Sequence, residues 1–133
     1  MNNTLNDIMK RLKEFAPKKC KGFVEITLPI VLNINGTLLN LRIESTDLGY
    51  KICYPYDLFY DANRSQEWYC NLFLKNDKNY HCDLQISDSV IYKNYDNEYN
   101  VAVAVSDFVH FFVLLDNFII NNQIIGNEEI FDY

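Results

Sequence analysis

Along the first fifteen positions the apolar residues Leu5, Ile8, Met9, Leu12 and Phe15 recur at the spacing of one face of an α-helix. Thr4-Leu5-Asn6-Asp7 reads as a capping box with Asp in place of Glu, and Pro17, which cannot continue a helix, ends the segment. From Val24 the period changes to two. Val24, Ile26, Leu28, Ile30, Leu32 and Ile34 alternate with Glu25, Thr27, Pro29, Val31 and Asn33, the pattern of a long half-buried strand. Pro29 has no N–H for a sheet ladder, so this strand is expected at a sheet edge or bulged there. Asn35-Gly36 then predicts a two-residue type I′ turn, and Leu39, Leu41 and Ile43 carry the alternation back.

Asp47-Leu48-Gly49 marks another turn, after which Tyr50, Ile52 and Tyr54 predict a strand closed by Pro55. Tyr56 to Gln66 has no clear period and reads as a loop or a short helix. Trp68, Cys70, Leu72 and Leu74 alternate, as do Tyr80, Cys82, Leu84 and Ile86 beyond the polar 75–79 turn, which predicts a second hairpin. Strands at 90–93 and through Val101, Val103 and Val105, with a turn at Asp96-Asn97 between them, complete the expected sheet. Ser106 is the expected cap of a last helix from Asp107 to near Asn121. Phe108, Val109, Phe111, Phe112, Val113, Leu115, Phe118 and Ile119 leave it a polar stripe of only Asp107, His110, Asn117 and Asn121. Such a helix must be buried on two sides or used at an interface.

These elements predict one α+β domain over residues 1–133. Its parts are a basic N-terminal helix and linker (1–21), an antiparallel meander sheet of about six to seven strands (22–105), an apolar C-terminal helix packed on the sheet (106–122) and an acidic tail (123–133). No linker, low-complexity block or internal repeat divides the chain. With 49% hydrophobic and 15% aromatic residues, the composition excludes a disordered chain.

The longest apolar run, 108–120, is broken by His110, Asp116 and Asn117, and the N-terminus has no cationic start or apolar signal core. The expectation is a protein of the cytoplasm of a bacterial or phage-infected cell, without membrane contact. Cys20, Cys53, Cys70 and Cys82 form no Cys-x-x-Cys pair and read as free thiols. His81 beside Cys82 is a poor metal pair, because neighbouring strand residues point to opposite faces.

Charge changes the picture. The first 21 residues carry a formal +4 and the remainder −10. An acidic body repels phosphate backbones and attracts basic surfaces such as those of nucleic-acid-handling proteins.

Candidate chemistry is sparse. No phosphate-cradling glycine motif, Gly-Lys-Ser/Thr loop, His-x-x-x-His or Gly-x-Ser-x-Gly occurs, so no catalytic residue, metal site or cofactor is assigned. His110, on an apolar helix, reads as a partly buried structural residue. Glu44 with Asp47, and Asp57 with Asp61, are the nearest carboxylate pairs a divalent ion could use, with Lys51 at hand; Asp57 and Asp61 would share a face only on a helix. Aromatic residues crowd the irregular segment instead, and such amphipathic rings suit protein contacts. The candidate partner-binding residues are Tyr54, Tyr56, Asp57, Phe59, Tyr60, Asp61, Glu67 and Tyr69.

Leu48-Gly49-Tyr50-Lys51-Ile52, followed by Asp57 and by Asp107-Phe108, together with the helix–meander–helix layout, resembles a family of uncharacterised small domains of phages and mobile elements over most of residues 5–120. No Asp-Asp-Gly turn of that family is present, and no catalytic residue carries over. The outline and acidity are also similar to type III secretion chaperones, which place a helix within the sheet. The expected function is a non-enzymatic inhibitor of the anti-defence or toxin-immunity type that masks a basic protein partner and binds no nucleic acid directly. A secretion-type chaperone, homodimeric through the C-terminal helix, and a metal-dependent hydrolase are the alternatives.

Overall fold

Two long alternating segments pair as the hydrophobic pattern requires, and around them a six-stranded antiparallel sheet forms in the computed structural model, which describes residues 2–15, 17–59, 61, 63–76, 83–87 and 89–122. The elements in chain order are α1 (Asn2–Arg11), a 3₁₀ turn (Lys13–Phe15), β1 (Lys18–Cys20), β2 (Phe23–Leu32), β3 (Thr37–Ser45), β4 (Gly49–Tyr54), α2 (Gln66–Asn76), β5 (Gln85–Ser87), β6 (Val90–Asp96) and α3 (Val101–Asn121). The strand order is β1-β2-β3-β4-β6-β5. This is an α+β fold: an N-terminal helix, an antiparallel sheet and an apolar C-terminal helix.

Period-two alternation gives the sheet one apolar face. Val24, Ile26 and Leu28 of β2, Leu39, Leu41 and Ile43 of β3, Tyr50, Ile52 and Tyr54 of β4, and Ile91 and Tyr95 of β6 are all buried on it. Leu5, Ile8 and Leu12 from the N-terminal segment and Phe108, Phe111, Phe112, Leu115 and Ile119 of α3 join the same core. The Tyr54 and Phe112 rings meet at 4.7 Å. Helix α2 then covers α3 from outside, Phe73 lying 5.8 Å from Phe111 and 5.5 Å from Phe118. Burial on two sides explains why α3 is apolar around most of its circumference. His110 is exposed on its outward stripe with Ser106 and Asn117, where the sequence suggested partial burial.

The other sheet face carries Glu25, Thr27, Arg42, Glu44, Lys51 and Tyr92, which cover one another. The Arg42 guanidinium sits 4.1 Å from the Phe23 ring centre, the Lys51 ammonium 5.0 Å from that of Tyr92, and Thr27 donates to Asn40 at 2.6 Å.

Several expectations are corrected. Residues 68–74 are helical, because Gln66, Tyr69, Cys70 and Phe73 bury one helical face and Ser65 caps it, its Oγ accepting the Trp68 N–H at 3.1 Å. The alternation of Trp68, Cys70, Leu72 and Leu74 left out Tyr69 and Phe73, two of the residues that pack. The expected hairpin of 68–74 with 80–86 therefore does not form: β5 pairs with β6, and Tyr80, His81 and Cys82 lie outside the described residues. The strand through Val101, Val103 and Val105 is the first turn and a half of α3. Asn100, not Ser106, caps it by accepting from Ala102 and Val103 at 2.8 and 3.4 Å, and Val101, Ala104, Val105 and Phe108 bury at helical spacing. The sheet thus ends at Asp96 and has six strands. The basic linker contains the short edge strand β1, and α1 begins at Asn2, so Thr4 lies inside it rather than capping it.

Pro29 behaves as its missing donor requires: the β2–β3 register shifts between Leu28 and Val31. The turn at Asn35-Gly36 is a four-residue loop between Leu32 and Thr37, with only Gly36 at positive φ (+71°), rather than a type I′ turn. Its conformation is set from elsewhere, since Asn33 and Ile34 donate to the buried Asp116 carboxylate of α3.

A second buried polar group organises the irregular segment. Gln66 is 2% exposed; its Oε1 accepts the Leu58 N–H at 2.7 Å, and its Nε2 donates to the carbonyls of Tyr56 (3.0 Å) and Ser89 (2.8 Å). Removing the amide leaves three backbone groups without partners, so Gln66→Ala is expected to cost about 2 kcal/mol and Gln66→Glu, which turns an acceptor on two carbonyls, at least as much. Urea unfolding measures this, and equal stability of wild type and Gln66→Glu would contradict it.

Candidate functional site

The residues singled out between Tyr54 and Tyr69 do not make one surface. Tyr54, Phe59 and Tyr69 are in the core, for reasons of packing: Tyr54 lies on the helix-covered face of β4, and Phe59 stacks on Tyr69 with ring centres 4.0 Å apart. Tyr60 lies outside the described residues. Tyr56 is exposed but bent over the open sheet face, donating to Glu25 at 2.6 Å. Asp57 is exposed and accepts the Phe59 N–H at 3.2 Å, and Glu67 is half-buried in the first turn of α2. Asp61 accepts from the Tyr69 hydroxyl and from the Asn63 N–H, bonds that hold its carboxyl below the usual range, the tyrosine first. Asp57 and Asp61 thus each brace the backbone of the loop through an N–H two residues on.

The carboxylates weighed for metal chemistry join no larger ligand group among the described residues. Glu44 faces Lys51 across the open sheet face at 3.8 Å, Asp47 is in the β3–β4 turn, and no group of three acidic, His or Cys side chains converges among the described residues.

What the fold does bring together is an acidic end that the sequence reading passed over. Gly49 pairs with Asp96, which sets the 46–49 turn beside the 96–100 turn. Asp96 accepts the N–H groups of Glu98 (2.9 Å) and Tyr99 (3.0 Å), so that Tyr99 turns back to donate to Asp107 of α3 at 3.1 Å. A small cavity of about 160 Å³ between α1 and this turn is lined by Asp7, Arg11, Tyr50, Asn97 and Tyr99 among others. Asp7, Asp47, Asp96, Glu98 and Asp107 thus share one end of the molecule, with Arg11 the nearby cation. Within it stand three exposed apolar or aromatic side chains: Leu48 at 83%, Val103 at 47% and Tyr99 at 39%. The signal in the sequence was Leu48 itself, a large apolar residue at the tip of a turn that polar residues normally fill.

Beneath this end the Tyr50 and Tyr95 rings stack at 5.2 Å and Tyr99 lies 5.0 Å from Tyr95. Tyr50 donates to the Tyr99 carbonyl at 2.7 Å, while the buried Tyr95 hydroxyl has no partner among the described residues. Burial, before the neighbouring Tyr99 and Asp96 charges, pushes the Tyr50 phenol up to about 12, and burial raises Tyr95 as well; Tyr99 is raised first by its bond to Asp107. Both buried phenols must stay protonated in the fold, whereas an unfolded tyrosine ionises near its ordinary value of about 10. Their contribution is therefore complete below pH 10 and lost as pH rises toward 12. Tyr50→Phe is expected to flatten the alkaline loss of stability, measured by urea midpoints across that range.

Compared with family models, with curated proteins and with solved structures, the chain matches none.

Proposed function

We propose that this protein is a small acidic, non-enzymatic binding module that docks on and masks a basic partner protein, as anti-defence inhibitors and immunity proteins do, and that it binds through the end formed by the 46–49 and 96–100 turns. The observation that carries this reading is Leu48, 83% exposed beside the carboxylates of Asp47 and Asp96. A lone exposed leucine is ordinary. One held at the tip of a hydrogen-bonded turn, lining a notch with Asp47 and Asp96 at the end of the molecule that also carries exposed Tyr99, Val103 and Glu98, has the composition of an interface: an apolar centre with a charged rim. The rim is predominantly negative, with Arg11 the cation beside Asp7; this sign steers encounter with a positive surface and repels nucleic acid.

The test is capture from host lysate on immobilised protein, comparing wild type with Asp47→Lys/Glu98→Lys. Both acids are exposed and neither side chain braces the fold, so the variant stays folded. Wild type is expected to retain basic proteins, with retention about tenfold lower in the variant and falling with salt. Equal capture by the two proteins would overturn the reading.

A further inference from the structure

The acidic end contains a recess as well as a rim. Gly49 enters β4 so close to β6 that a Cβ there would stand 2.2 Å from the Tyr95 carbonyl oxygen, so the base of the 46–49 turn is pressed on the β6 backbone. Thr46 locks the turn from both ends, its N–H donating to the Gly49 carbonyl at 3.0 Å and its Oγ1 accepting the Gly49 N–H at 3.1 Å. Between the turn and the end of β6 an open notch of about 510 Å³ remains, lined by Thr46, Asp47, Leu48, Asn94, Tyr95 and Asp96.

Its chemistry is one-sided. Asp96 spends Oδ1 on the Glu98 and Tyr99 N–H groups, which leaves Oδ2, and Asp47 has no partner among the described residues. Of the strand cations, Lys51 is held by Glu44 at 3.8 Å, while Lys93 is held by Asp83 at 3.6 Å with its ammonium 5.2 Å from the Tyr95 ring centre. We infer that this notch accepts one arginine side chain of the partner protein, its methylene stem laid along Leu48 and its guanidinium shared by Asp47, Asp96 and the Asn94 amide oxygen. Arginine suits the site better than lysine, because a planar fork can donate to several acceptors at once while its stem covers apolar surface. The rigid turn lowers the ordering cost of binding. This inference rests on the docking surface proposed above and specifies what the partner inserts there.

The probe is a capped Gly-Ser-Arg-Ser-Gly peptide, titrated at millimolar concentration into the ¹⁵N-labelled full chain and followed by amide shifts. Saturable shifts confined to the 46–49 and 94–96 segments are expected, about fivefold weaker when citrulline replaces arginine and about threefold weaker in Asp47→Asn. Equal binding of the citrulline peptide, shifts spread over Asp57, Glu67 and Asp107 alike, or no shifts at all would each overturn the arginine notch. The docking surface is judged separately: if lysate capture still depends on Asp47 and Glu98 while the peptide fails, the notch falls and the surface stands.

Discussion

Replacing Asp116 with alanine is expected to lower the unfolding free energy by about 3 kcal/mol, seen as a lower urea midpoint at unchanged slope. Asp116 is 4% exposed in the second half of α3, and its carboxylate reaches the loop joining β2 to β3. Oδ2 accepts the Asn33 N–H and the Asn33 Nδ2, both at 3.0 Å, and Oδ1 accepts the Ile34 N–H at 2.9 Å. All three bonds are charge-assisted, and they join segments more than 80 residues apart in the chain. Alanine leaves two backbone donors facing an apolar helix. Asp116→Asn sharpens the test: it keeps the shape but turns one acceptor into a donor facing an N–H, so it is expected within about 1 kcal/mol of alanine. Faster exchange of the Ile34 amide would accompany both. An asparagine variant as stable as wild type would show that the loop does not depend on the carboxylate.

Gly49→Ala is expected to cost about 3 kcal/mol or more and to remove binding at the acidic end together with it. The added methyl would lie 2.2 Å from the Tyr95 oxygen and 2.7 Å from both the Cα and the carbonyl carbon of Asp96. Every obstacle is backbone, so relief requires β4 and β6 to part where the two acidic turns meet. Gly22 and Gly36 are the controls. Both have positive φ (+85° and +71°) but open space around them, so alanine there meets only backbone strain of about 1 kcal/mol. If Gly49→Ala cost no more than Gly36→Ala, the close approach of the strands would not be what holds the two turns together.

The candidate surface was only partly legible in the sequence. The acidic, aromatic character that motivated a basic partner is present in the composition, yet the residues first named for it divide between core and loop. Tyr54, Phe59 and Tyr69 are amphipathic, and nothing local distinguishes a ring that covers Phe112 or its own neighbour from one that faces solvent. Leu48 stood in plain view within Asp47-Leu48-Gly49. Its meaning comes from Asp96, Glu98 and Tyr99, which lie about fifty positions away and become neighbours only through the pairing of β4 with β6.

By itself the sequence determined those elements whose hydrophobic period was unambiguous: α1, the β2–β3 hairpin with its bulge at Pro29, β4, the start of β6 and the body of α3. In each, side-chain direction follows from residue spacing alone, so one buried face writes itself into the pattern. Tertiary structure decided the rest. The 68–74 and 101–105 segments satisfy both periods, and packing against α3 and the sheet selected the helix. Asp116, Gln66 and the meeting of two acidic turns depend on which elements lie side by side, and periodicity records how residues share a face within one element, not which other element that face will meet.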